Sequence, residues 1–190
     1  MTKKIVAFGA SNSRNSINRK LANFAAHQVP NAEVNLLDLN DFEMPIYGID
    51  RERESGIPAL AHAFKAHIAE SDGIVISFAE HNGAYSVAFK NIMDWISRIE
   101  KDTWASKPML LLATSPGGRG GKTVLDIAVN KFKFMNKNTI AHFSLPFFKT
   151  NFSTEEGITD PELFATLKEQ IEIFDQAILN PLEDRIAKVS

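Results

Sequence analysis

The chain has 190 residues, 44% of them hydrophobic, enough for one sizeable core and short of what two domains need. Its 21 basic and 23 acidic residues give a formal net charge of -2 without any basic block, which argues against nucleic acid as a main partner. No apolar run approaches the ~18 residues that span a bilayer, and the absence of cysteine excludes disulfides, thiolate metal sites and thiol nucleophiles.

Residues 3–9, KKIVAFG, form an apolar, β-branched run ended by Gly9, the pattern of a strand buried on both faces. MTKKIVAFGA thus passes straight into a strand rather than a signal peptide, and a cytoplasmic protein with no membrane partner is expected. Ile17, Leu21, Phe24 and Ala25 then recur at helical spacing behind Ser16, a good N-cap, predicting a helix over 16–27. EVNLLDL, residues 33–39, predicts a second strand. The following NDFEMPIYGIDRERESG, residues 40–56, has no period of its own and is expected to be a long loop.

Pro58 stands at the start of a helix reaching Ser71, and DGIVISF, residues 72–78, predicts the third strand. AEHNGAY, residues 79–85, reads as a loop, and residues 86–100 place Val87, Phe89, Ile92, Met93 and Ile96 on one helical stripe. A fourth strand at 109–115, a helix at 122–135, a fifth strand near 139–144 and a helix at 161–179 complete the series. This alternation predicts an α/β fold: a five-stranded parallel sheet with helices on both faces and right-handed crossovers. Residues 1–180 make one domain and 181–190 a C-terminal tail. Ligands bind such a sheet outside the carboxyl ends of its strands, so the loops after the first, third and fourth strands should converge.

The first of these, within GASNSRNSIN, offers Ser11, Ser13 and Ser16 hydroxyls, the Asn18 amide and the Arg14 fork beside a helix N-terminus, where an anion is favoured. An ordinary polar turn capped by Ser16 accounts for the same residues, and both readings stand on this loop alone. Only Gly9 of a G-x-G-x-x-G pattern is present, so side chains gripping a terminal monophosphate fit better than backbone cradling a pyrophosphate. PGGRGGKT, residues 116–123, nearly matches a nucleoside-triphosphate loop, but Pro116 replaces the first glycine and no strand ending in Asp follows. His62 and His67 are five apart, off the spacing that aligns two ligands on a helix, and no metal site is expected. The six phenylalanines between Phe132 and Phe152 exceed what a solvated segment carries, so most belong in the core, with FSLPFF free to form a subunit contact or a cover.

Taken together, these loops resemble the NAD(P)H-dependent FMN reductase family of flavodoxin-like proteins. The family pattern G-S-x-R-x-x-S-x-N-x-x-L is similar to G-A-S-N-S-R-N-S-I-N-R-K-L here, with one residue more before Arg14. P-E-Y-N followed by L-K-N-A-I-D-W is similar to Ala79-Glu80-His81-Asn82 followed by Phe89-Lys90-Asn91-Ile92-Met93-Asp94-Trp95, and a Gly-rich loop spans Ser115 to Gly121. The family's Pro and Tyr are Ala79 and His81 here, and its S-V-P-G becomes Ala84-Tyr85-Ser86-Val87.

The resemblance implies a flavodoxin-like three-layer sandwich holding FMN at the sheet's carboxyl edge. Ser11, Ser13, Arg14, Ser16 and Asn18 would hold its phosphate. Backbone groups of Glu80, His81, Asn82 and Gly83 would face the ring, with Ser115, Gly117 and Gly118 on the other side. It further implies hydride transfer from NADPH or NADH to the flavin, then two electrons to a small acceptor such as a quinone, an azo compound or a flavin. No side-chain nucleophile is needed; His81 is the residue in these loops suited to moving a proton. A homodimer or dimer of dimers is implied as well, with Met44, Pro45 and Tyr47 either reaching the partner's site or packing on their own sheet. The alternative is a flavodoxin-type electron carrier or flavin-binding sensor with no NAD(P)H oxidation of its own.

Overall fold

The computed structural model describes residues 2–180; the tail expected at 181–190 lies outside the described residues. Five segments pair in parallel: β1 (Lys3–Ala10), β2 (Ala32–Leu37), β3 (Gly73–Phe78), β4 (Met109–Thr114) and β5 (Ile140–Leu145), in the order β2-β1-β3-β4-β5. β3 and β4 are buried at every position, which is why they read as continuous apolar runs, whereas β2 and β5 at the sheet edges alternate. The helices are α1 (Ile17–His27), α2 (Ile49–Ser55), α3 (Ala59–Glu70), α4 (Val87–Ile96), α5 (Lys122–Met135), the single turn α6 (Phe148–Asn151) and α7 (Pro161–Leu179).

Successive strand residues point to opposite faces, and the core divides accordingly. Ile5, Ala7, Val75 and Leu110 meet Leu21 and Ala25 of α1 and Leu167 and Phe174 of α7. Val6, Phe8, Ile76 and Leu111 meet Phe64 of α3, Phe89 of α4 and Phe132 of α5. Each fully buried Phe or Leu contributes about 1.5–3 kcal/mol. The expected three-layer, doubly wound sandwich is therefore the observed one, and its strand order reverses between β1 and β3, the position that leaves a crevice for ligands.

Gly9 sets the spacing of that crevice, because a β-carbon there would run into the backbone of Arg19. Only the bare backbone lets α1 lie this close to the end of β1. At the other end of the sheet, Lys3 is buried and paired with Asp175 of α7, and its ammonium also donates to Pro30 O at 2.9 Å. The first strand is thereby locked to the last helix.

Three local expectations change. Residues 40–56 are not all loop: a 3-10 turn covers Leu39–Phe42 and α2 follows. No residue of α2 is buried, so it has no apolar stripe for the sequence to reveal. AEHNGAY is a hairpin rather than an open loop, pairing Glu80 with Tyr85 and His81 with Ala84. Val87 does not belong to the buried stripe of α4, being 69% exposed, and that helix ends at Ile96. Of the clustered phenylalanines, Phe132, Phe143 and Phe148 are core, whereas Phe134 and Phe147 are exposed.

Candidate functional site

The loop between β1 and α1 has an open part and a closed part. Ser16 caps α1, its Oγ accepting the Arg19 N–H at 3.1 Å, and Ser11 Oγ accepts the Ser13 N–H at 3.1 Å. Ser11 and Ser16 are buried, while Ser13 and Arg14 are exposed. Asn18 points inward: its Oδ1 accepts from Ser77 Oγ at 2.7 Å and from the Thr114 N–H at 3.0 Å, and its Nδ2 donates to Thr114 O at 3.2 Å. One amide therefore fastens α1 to both β3 and β4. Its side chain is committed to the scaffold, with one amide hydrogen to spare.

The hairpin after β3 turns on Asn82 (φ 52) and Gly83 (φ 76), both in the left-handed region, as a two-residue primed turn requires. The Asn-Gly pair is the sequence signal that would have revealed this turn, in a segment expected to be a loop. Glu80 sends its Oε2 across to the Val124 N–H at 3.1 Å, in the first turn of α5. The cap residue of α5 is Gly121, which has no side chain, so Glu80 does from another element what an N-cap residue normally does. A carboxylate there also meets the positive end of the helix. His81 and Asn82 are exposed at the tip. Ser86 closes the hairpin, accepting the Phe89 N–H at 3.2 Å and donating to Ala10 O at 2.8 Å, which ties α4 to the end of β1.

In the third loop, Ser115 Oγ donates to Gly117 O at 3.2 Å, and Gly117 faces open space. Gly118 lies against the ring of Phe147. The three loops thus stand at the carboxyl ends of β1, β3 and β4, held by Asn18, Glu80 and Ser86 acting between elements.

A further wall comes from residues 44–47. Asn91 of α4 accepts the Tyr47 N–H at 2.8 Å and donates to Met44 O and Pro45 O at 3.0 and 3.2 Å, while Trp95 Nε1 donates to Pro45 O at 2.7 Å. Met44 is buried and the Tyr47 ring stands edge-on to Trp95 at 5.0 Å, so both pack on their own chain. Tyr47 OH donates to Glu52 Oε2 at 2.9 Å, and Arg98 Nε reaches both Glu52 oxygens at 3.2 and 3.0 Å. The Arg98 guanidinium holds the Glu52 carboxyl below its usual range, and that carboxylate in turn pushes the Tyr47 phenol up. A cavity of about 270 Å³ opens in front of this wall, lined by Asn12, Phe42, Met44, His81, Val87 and Asn91. A cleft of about 340 Å³ at the opposite edge of the sheet, between Glu33, Asn35, His67 and Glu70, contains no residue of the three loops.

Asn91 and Trp95 sat in the quoted motif, but their grip on residues 44–47 was hidden because it joins segments over 40 residues apart. Ser77 and Thr114 gave no sequence signal, since a hydroxyl in an apolar strand shows its purpose only when its partner is known. Among the described residues, no cluster of three or more His, Asp or Glu could hold a metal ion, and no helix is long and apolar enough to cross a membrane.

A parallel sheet in this order, with Ser-, Asn- and Gly-rich loops gathered at its carboxyl edge, defines a flavodoxin-like protein. The sequence of the NADPH-dependent FMN reductase family matches residues 3–150, and the chain belongs to that family. A quinone reductase of Escherichia coli is 37% identical over 79 residues, 42% of each chain, so the match spans less than half of that relative. A 2-hydroxy-1,4-benzoquinone reductase of Burkholderia is 34% identical over 122 residues, 63% of this chain and 64% of the other. In fold, the chain is similar to the flavoenzyme NAD(P)H:(acceptor) oxidoreductase FerB of Paracoccus denitrificans, with a TM-score of 0.74 over 94% of this chain and 98% of that one at 23% identity.

Proposed function

We propose that the protein is a cytoplasmic, dimeric FMN-dependent NAD(P)H oxidoreductase that reduces a small acceptor such as a quinone, an azo compound or a flavin. The observation that carries this is the loop at the α1 N-terminus, where Ser13 and Arg14 are exposed beside backbone N–H groups that lack helical partners. That donor set suits a terminal monophosphate: one guanidinium fork, hydroxyls and the positive end of a helix. Ser11 and Ser16 shape the loop and can still offer their hydroxyl protons, and Asn18 has its spare amide hydrogen. Glu80, His81, Asn82 and Gly83 would present main-chain groups to a flat ring on one side, and Ser115, Gly117 and Gly118 on the other, where Gly117 leaves room.

FMN held there would supply the redox chemistry, between NADPH or NADH as hydride donor and a two-electron acceptor. The protein's part is to grip the phosphate, orient the ring and leave one face open. His81, exposed at the mouth of the 270 Å³ cavity, is positioned to hand a proton to a reduced acceptor. Exposed Ile46 and Val87 rim the same cavity, which supports a second subunit closing over it.

Purified protein should be yellow and should bleach when NADPH or NADH is added without oxygen. The double variant Ser13→Ala/Arg14→Ala should lose FMN at least tenfold more readily at unchanged melting temperature, because neither side chain packs in the core. Ser16 is a poorer choice, since removing a cap costs about 1 kcal/mol by itself. Unchanged FMN affinity in the double variant would overturn the phosphate site, and a yellow protein that never bleaches would leave an electron carrier or sensor.

A further inference from the structure

The rim beside β4 and β5 carries two features that holding a flavin does not use. Phe147 has left-handed backbone (φ 47, ψ 57), a genuine outlier for so large a side chain, and yet its ring is 52% exposed. The conformation is fixed from both sides. Its N–H donates to Gly117 O at 3.1 Å, and its carbonyl accepts from the N–H groups of Thr150 and Asn151 at 2.8 and 3.0 Å. The tip of the ring touches Gly118, where a β-carbon would stand 2.7 Å from Cζ. Strained backbone that presents an aromatic ring to solvent is not explained by core packing.

The next residue along the glycine loop is Arg119. Its Nη2 donates to Thr123 Oγ1 at 2.9 Å, and among the described residues no carboxylate pairs with it. The carboxylates of this region are engaged elsewhere: Asp126 pairs with Lys122 at 3.5 Å, and Glu80 accepts from the Val124 N–H. The methyl of Thr123 stands 3.9 Å from where Gly83 would carry a β-carbon, so the guanidinium is anchored between the third loop and the hairpin tip. An exposed aromatic ring against Gly118 and, on the very next residue, an exposed guanidinium with open donors suit a ligand that carries a base and a phosphate close together.

We propose that Phe147 and Arg119 select NADPH, the ring stacking on the adenine and the guanidinium forking onto the 2′-phosphate of the same ribose. This rests on the reductase reading, since it concerns the nucleotide that delivers the hydride. Stacking on Phe147 serves NADH and NADPH alike and is worth about tenfold in affinity; Arg119 acts on NADPH alone and supplies another factor of about ten.

The test uses the FMN-loaded protein and two separable readouts. Calorimetric titration should show 2′-AMP binding about tenfold more tightly than 5′-AMP. Arg119→Ala should abolish that difference and raise KM for NADPH without changing KM for NADH. Phe147→Gly should weaken both nucleotides equally while the melting temperature holds or rises, because glycine accepts the left-handed backbone without strain. Equal binding of 2′-AMP and 5′-AMP by the unaltered protein, or equal losses for both nucleotides in Arg119→Ala as expected of a pyrophosphate contact, would overturn the proposal while leaving the reductase in place. Failure of both NADPH and NADH to bleach the flavin would remove the reductase reading and this one with it.

Discussion

Tyr85 shows what a single side chain can cost. Its ring lies among Phe78 and Phe89, at 5.6 and 5.3 Å, while its buried hydroxyl has no hydrogen-bond partner among the described residues. Burial pushes the phenol up to about 12. Because this value is raised, the folded state holds its proton where the unfolded chain releases it, so stability falls as pH climbs from about 10 toward 12. Tyr85→Phe should be neutral or stabilising by up to about 1 kcal/mol at neutral pH and should flatten the alkaline loss in thermal melts. The opposite holds for Asn18. Asn18→Ala strands the Ser77 hydroxyl and the Thr114 N–H in the interior and should cost about 3 kcal/mol in urea unfolding. Ser13 and Arg14 could be proposed for a phosphate site from the sequence alone, because side-chain chemistry shows there directly. The inward turn of Asn18 was not, since both its partners lie at least 59 residues away.

Among the elements, α2 and the segment before it depend on α4 for their place. Arg98, Glu52 and Tyr47 form a surface latch, and Asn91 and Trp95 hold the strap beneath it. Trp95→Phe should loosen the strap by about 1 kcal/mol, visible as faster proteolysis or hydrogen exchange around residues 45–56. Arg98→Ala should act in the same direction with a pH signature. Since Glu52 is held below its ordinary range, the latch is complete above that range and is lost as pH falls through the lowered value. The exchange rates of the variant and the unaltered protein should therefore converge in acid. Sequence periodicity found each helix of ten or more residues, including α7 over 161–179, and missed α2, which buries none, and the single turn α6, too short to show a period. The Asn82-Gly83 hairpin was missed differently: its turn signal was plain, but two-residue strands are too short to show alternation.

For the molecule as a whole, the alternation of strand and helix was enough to recover the sheet, its two covered faces and the edge at which the loops meet. The tertiary bonds that fix those loops were not, because they join residues by geometry and not by pattern. The same is true of the bond between the first strand and α7. Lys3 and Asp175 are 7% and 8% exposed, and Asp175→Ala leaves a buried ammonium with only a carbonyl partner. That variant should lose about 3–5 kcal/mol and melt about 10 °C lower, without altering FMN affinity in the protein that remains folded.

The amide of Asn18 has a kinetic meaning as well. It spans α1, β3 and β4 within the fold itself, so the relative positions of the first and third loops do not wait on a ligand to set them. A molecule arriving at that edge meets a seat whose ordering entropy was spent during folding. Capture should then approach the rate of a rigid-body encounter, and differences in how tightly flavins are held should appear in how slowly they leave.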